Sequence, residues 1–210
     1  MILKYSSTAK AVIGIVYLVG ILGMSIPETR GFFQQLTPVN LLFAGFMLFL
    51  FHRPFSLKLA LLFLLVFLGG FGVEVAGVQT GLVFGTYAYG ETLGLKIAGT
   101  PLLIGLNWLM LIYMVYHLLQ DLNTSFFLKT IIGALMMVAY DLLLEPVAIR
   151  LDFWQWGGGA IPLQNYLAWF VISFVFLLIW NLAKAKTSNP VSNTLLAAQL
   201  SFFLILNLTL

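Results

Sequence analysis

Residues 57–78 read LKLALLFLLVFLGGFGVEVAGV. A run this long and this apolar supplies the roughly 20 residues an α-helix needs to cross a hydrocarbon core about 30 Å thick. Near its far end it also carries a carboxyl group, Glu74. Six further runs of the same character occupy 9–26, 36–51, 99–119, 128–149, 162–183 and 191–210. The run at 36–51 is short and suits a small tilt or a locally thin bilayer. Pro27, Pro38, Pro54, Pro101, Pro162 and Pro190 each fall at or near the end of a run, where helices break. The expected fold is all-α: a polytopic transmembrane bundle of about seven helices, with residues 1–210 as one domain.

The totals agree with this reading. The chain has 210 residues, 61% hydrophobic and only 8% charged, with a mean hydropathy of +1.05. Such values exclude a soluble domain and a disordered chain. The formal charge of +3 is small. With Lys and Arg confined to loops it reports membrane topology, and no nucleic-acid partner is expected. There is no cysteine, hence no disulfide and no thiolate chemistry. His52 and His117 are too few for a histidine-rich metal centre, so no metal is expected. Lys4 and Lys10 precede the first run as in a signal peptide, but no small-residue cleavage pattern follows. We read it as a retained anchor. With the N-terminus inside, Lys4, Lys10, Arg53, Lys58, Lys129, Lys184 and Lys186 lie on the inner side. Arg30, Lys96 and Arg150 lie outside, a positive-inside bias that puts the C-terminus at the outer face. The segment 81–94, GLVFGTYAYGETLG, is rich in glycine and aromatic residues. Within the outer loop 79–98 it reads either as a re-entrant or interfacial segment or, from the four-residue spacing of its glycines, as tight helix packing.

Three acids inside the apolar runs carry the functional argument: Glu74, Asp141 and Glu145. A carboxyl at membrane depth is costly unless neutralised, paired or hydrated. Counting back from the outer helix ends at 1.5 Å per residue puts Glu74 roughly 6 Å deep, Glu145 roughly 7 Å and Asp141 roughly 13 Å. Asn107 falls roughly 12 Å down its own run, and Asn165 and Trp169 lie in the same outer half. Tyr87, Tyr89, Trp154 and Trp156 sit in the two loops that cap this level. His52, His117, Asp121 and Lys129 fall toward the inner side and read as interface anchors or caps. Asp141 and Glu145 share a helix face. Two such carboxyls cannot both ionise cheaply in a low dielectric, so at least one is expected to keep its proton. A neutral acid beside a carboxylate is the minimum for general acid–base chemistry. The plainer alternative pairs Glu145 with Arg150, and Asp141 with Asn107 or Asn165 across helices. Likewise the Trp and Tyr side chains are either an interfacial belt or π faces that stabilise a developing cation.

Glu74 is followed by GTYAYG (85–90), GTPLLIGLNW (99–108), DLLLEP (141–146), WQW (154–156) and IPLQNYLAW (161–169). In that order these motifs resemble the integral-membrane carotenoid hydratases, both the gamma-carotene 1′,2′-hydratases and the bisanhydrobacterioruberin hydratases. The resemblance covers residues 70–170, about half of the chain. It implies a cofactor-independent hydro-lyase of the bacterial cytoplasmic (inner) membrane, with its site toward the outer leaflet. Water would add across the terminal double bond of a linear, lycopene-like (psi) end group, giving a tertiary alcohol. The implied partners are membrane lipid, water, a carotenoid such as gamma-carotene or lycopene, and contacts with other enzymes of the same pathway. A C40 polyene is about as long as the bilayer core is thick, roughly 30 Å. On this reading Asp141 is the first choice for the acid and Glu74 the second. Glu145 or Glu74 orients or deprotonates water. Asn107 and Asn165 hold water or the acids, and Tyr87, Tyr89, Trp108, Trp154, Trp156 and Trp169 line the end-group pocket. Two rival functions share these features: a proton-coupled transporter, and a non-catalytic carotenoid-binding or assembly subunit.

Overall fold

The computed structural model describes residues 2–210. Every apolar run forms a helix: α1 (Ser6–Ser25), α3 (Thr37–Leu50), α4 (Leu57–Thr80), α5 (Leu103–Leu119), α6 (Phe126–Arg150), α7 (Leu163–Leu182) and α8 (Ser192–Thr209). Residues 27–35, expected to be loop, form an eighth helix, α2 (Pro27–Gln35), bent by 56° from α3. Pro27 and Pro38 sit in the first turns of α2 and α3, where a missing N–H costs nothing. None of the α2 side chains is buried. Among the described residues, α1 with its preceding turn, α4, α6, α7 and α8 are long and apolar enough to cross a membrane, and the bent α2–α3 pair makes a sixth. The 17-residue α5 is shorter, and residues 108–116 are buried without interruption. Five or six spans therefore stand on length and composition, where about seven were expected. The bundle is all-helical as read from the sequence.

Local chemistry sets the boundaries. The Ser56 hydroxyl accepts from the Leu59 N–H and the Ser125 hydroxyl from the Leu128 N–H, both at 3.2 Å, capping α4 and α6. Gly81 closes α4 in the left-handed conformation, φ +68°, which an L side chain resists. The four-residue glycine series therefore leaves the helix after Gly77, and helix packing does not explain the rest of it.

The loop between α4 and α5 is not a re-entrant helix. It contains β1 (Tyr87–Tyr89), a single 3₁₀ turn (Glu91–Leu93) and β2 (Lys96–Ile97), which pairs with β3 (Thr100–Pro101). β1 pairs antiparallel with β4 (Trp154–Trp156), which lies between α6 and α7. Tyr87 faces Trp156 and Tyr89 faces Trp154 across this ladder. Gly90 lets the two segments meet: a Cβ there would lie 2.1 Å from the Asp152 carbonyl oxygen.

At the opposite end of the bundle, His52 is fully buried and is no interface anchor: its Nδ1 lies 2.8 Å from the Tyr113 hydroxyl. His117 Nδ1 lies 2.8 Å from the Thr187 hydroxyl, and Lys129 donates to the Gln120 carbonyl beyond the end of α5, a capping contact.

Candidate active site

Glu74 belongs to α4 and faces α5. One helical turn earlier, Gly70 has no side chain, and a Cβ there would lie 2.6 Å from the Trp108 Cβ. That gap brings α5 close enough for Trp108 Nε1 to donate to Glu74 Oε1 at 2.9 Å. Alternate residues of a strand share a face. Tyr87 and Tyr89 therefore reach down from β1 together, and both hydroxyls donate to Glu74 Oε2, at 2.6 and 2.7 Å. Burial, and then the neighbouring Glu74 carboxyl, push both phenols above their usual range, so they remain donors.

The partner strand repeats the device. Trp154 and Trp156 also lie two residues apart, and their indole N–H groups donate to Glu145 Oε2 at 3.0 and 2.9 Å. One short ladder thus holds two glutamates, with tyrosines on one and tryptophans on the other. Asn165 of α7 completes the group, its amide donating to Asp141 Oδ2 at 2.7 Å and to Glu145 Oε1 at 3.2 Å. Asp141 Oδ1 is buried without a partner among the described residues.

Glu74, Asp141 and Glu145 are all buried, at 5%, 0% and 1% exposure. No cation neutralises them: among the described residues the one ion pair is Lys96 with Glu91, at 2.8 Å. Arg150 points to the Asn207 carbonyl at 3.5 Å, so the sequence alternative of a Glu145–Arg150 pair is not seen. The alternative pairing of Asp141 is half present, with Asn165 as partner and Asn107 not. Three unpaired carboxyls in a low dielectric cannot all carry charge, because each lacks the partner that offsets its desolvation.

A cavity of about 470 Å³ adjoins the cluster. Glu74, Glu145, Asn107 and Asn165 line it, as do the rings of Tyr87, Tyr89, Trp108, Trp154, Trp156 and Trp169. Trp108 and Trp169 stack at 4.4 Å between centroids, 26° between planes. Asp141 does not line the cavity and meets it through Asn165. Ile15 and Val39 line the cavity and are each 60% exposed. The cavity therefore opens sideways onto the apolar flank of the bundle, between α1 and α3. No group of three or more His, Asp or Glu side chains among the described residues forms a metal-ligand set.

The sequence reading missed Tyr17, Asn40 and Gln199, which line the same cavity from α1, α3 and α8. The signal was available: each is a polar group inside an apolar run, the criterion that singled out the acids.

The family model described as carotenoid biosynthesis protein matches residues 36–210. The chain belongs to this family. A bisanhydrobacterioruberin hydratase of Haloarcula japonica is 30% identical over 123 residues, which span 53% of this chain and 41% of the length of that relative. No solved structure matches the chain. The carotenoid biosynthesis family match includes every residue of the acid cluster and the whole ladder, while Tyr17 precedes it.

Proposed function

We propose that this carotenoid biosynthesis protein is a hydratase, adding water across the terminal double bond of a linear, lycopene-like end group by acid catalysis. One observation carries the reading: two glutamates, each held by three neutral donors and no cation, face an aromatic cavity that opens on the apolar flank of the bundle. Asp141 and Glu145, one turn apart and bridged by Asn165, share a proton. Glu145 is the member that reaches the cavity. It protonates the less substituted alkene carbon, and the positive charge forms on the tertiary carbon. An alkene needs a strong acid, and the Trp154 and Trp156 N–H groups supply that strength by stabilising the carboxylate as it forms. Glu74, with three donors on its oxygens, stays a carboxylate. It stabilises the cation and takes a proton from the attacking water. The stacked faces of Trp108 and Trp169 add cation–π stabilisation. Water in the cavity then returns the proton from Glu74 to the Asp141–Glu145 pair, and the product is a tertiary alcohol. The expected first choice of acid, Asp141, becomes the inner partner of the donor in this scheme.

The polyene enters from the bilayer through the opening between α1 and α3. The ladder end of the bundle is the outer side of the bacterial inner membrane in this reading, since it carries three of the ten basic residues, Arg30, Lys96 and Arg150.

The test is expression in cells that accumulate lycopene or gamma-carotene, followed by mass analysis of the extracted pigment. The expected product has gained one water molecule. Glu145→Gln and Glu74→Gln are each expected to lower its formation by roughly 10²–10⁴-fold, the usual weight of general acid–base groups. Product that persists in both variants overturns the scheme. Unchanged pigment bound to the purified protein points to a carrier, and proton flux in proteoliposomes without pigment change points to a transporter.

A further inference from the structure

A hydration site needs water as well as acid, and the rim of this cavity is apolar. A second polar group lies in the cavity wall, away from the ladder in sequence. Tyr17 of α1, Thr37 and Asn40 of α3, Tyr140 of α6 and Gln199 of α8 all line it. The Tyr140 hydroxyl approaches Gln199 Oε1 at 3.4 Å, and Tyr17 and Asn40 line the cavity with them. Asn40 Oδ1 and Thr37 Oγ1 are buried with no partner among the described residues. A buried acceptor without a donor is unfavourable and calls for an O–H group. A water molecule fits such a place when two to four polar partners surround it.

Position favours water as that group. Thr37 and Asn40 occupy the first turn of α3, directly after the unburied helix α2. They are the polar cavity residues next to α2, whose sequence PETRGFFQQ is largely polar. At the other end of the group, Tyr140 immediately precedes Asp141. The polar lining therefore includes residues next to α2 and a tyrosine that precedes the acid pair in sequence.

We propose that Thr37, Asn40, Tyr17 and Gln199 form a water-holding subsite that feeds the nucleophile into the cavity from beneath α2. The subsite rests on the hydration reading and assigns separate entries to the two reactants, lipid-side for the polyene and α2-side for water. Its residues are positioning residues, since they act on the reacting carbon through the water they hold.

The chemistry offers a direct test. Protonation of the alkene gives a cation with two fates. Water can bond to the cationic carbon, releasing a proton to Glu74 and leaving the alcohol. Without water, the neighbouring carbon loses a proton to a carboxylate and the double bond re-forms. In D₂O the second fate leaves deuterium in the recovered polyene. The purified full-length protein, reconstituted in vesicles with a lycopene-type polyene, is incubated in D₂O as wild type, Asn40→Leu, Gln199→Leu and Asn40→Ser. Asn40→Leu and Gln199→Leu are expected to lower alcohol formation on the order of 10²-fold, the scale of a misplaced reactant. Deuterium uptake into recovered polyene should stay at or above the wild-type level. Asn40→Ser keeps an acceptor and should retain alcohol formation. Alcohol and deuterium falling together, or neither changing, overturns the subsite while leaving the hydratase intact. A wild type that makes no alcohol and exchanges no deuterium overturns both.

Discussion

Three neutral donors surround each of the two glutamates. A carboxylate buried in an apolar bundle is held by hydrogen bonds if no cation is near, and the two glutamates differ in the kind they receive. Glu74 takes two phenol O–H groups and one indole N–H. Glu145 takes two indole N–H groups and one amide. O–H donors at 2.6–2.7 Å favour the charged form more strongly than N–H donors at 2.9–3.2 Å. In the proposed scheme this asymmetry is what would keep Glu74 anionic and leave the proton with Glu145. Trp156→Phe removes one donor from Glu145 while keeping an aromatic ring. We expect kcat to fall by about 10²-fold with little change in KM, the loss typical when one donor to a developing oxyanion is deleted. A pure interfacial-belt role for Trp156 would leave kcat unchanged. Tyr17, Asn40 and Gln199 carried a signal in the sequence, a polar group inside an apolar run, but a weaker one than the acids because neutral polar residues are common in apolar helices. Their importance comes from sharing a cavity, which spacing along the chain does not show.

Among the elements, the three-residue ladder between β1 and β4 decides the site. Neither strand is long enough to read from periodicity, and their pairing joins residues far apart in the chain, Tyr87 with Trp156 and Tyr89 with Trp154, far beyond any local signal. The motifs GTYAYG and WQW were legible as aromatic loops, but nothing in them stated that they pair. The ladder converts two loops into a rigid clamp, since alternate side chains of a strand point the same way. Gly90 is its weak point. Gly90→Val would drive a side chain into the Asp152 carbonyl, which a Cβ already approaches to 2.1 Å. We expect product formation to be lost while helix content by circular dichroism stays near wild type, because the ladder lies outside the helices. Loss of helix content along with product would show instead that the ladder holds the bundle together.

At the scale of the whole molecule, the cavity is bounded by helices from both ends of the chain. α1 packs against α8 and α3 against α5, and the opening lies between these units. Val39→Trp, placed on the exposed rim, should obstruct it. The expected result is a raised KM for a long polyene, with kcat on bound substrate little changed, measured in vesicles of fixed lipid content. Unchanged kinetics would mean that the polyene enters elsewhere. The apolar helical bundle was legible in the order of residues, because helix length and hydrophobicity are local quantities matched to a bilayer. That order also marked Glu74, Asp141 and Glu145, since a charge is conspicuous where solvation is poor. The tertiary structure alone decided which donors meet each acid, that Asp141 stands behind Asn165 while Glu145 faces the cavity, and that α1, α3 and α8 contribute polar walls. Those relations depend on which distant segments lie side by side, and such contacts arise only when the helices pack and the two loops that carry β1 and β4 pair.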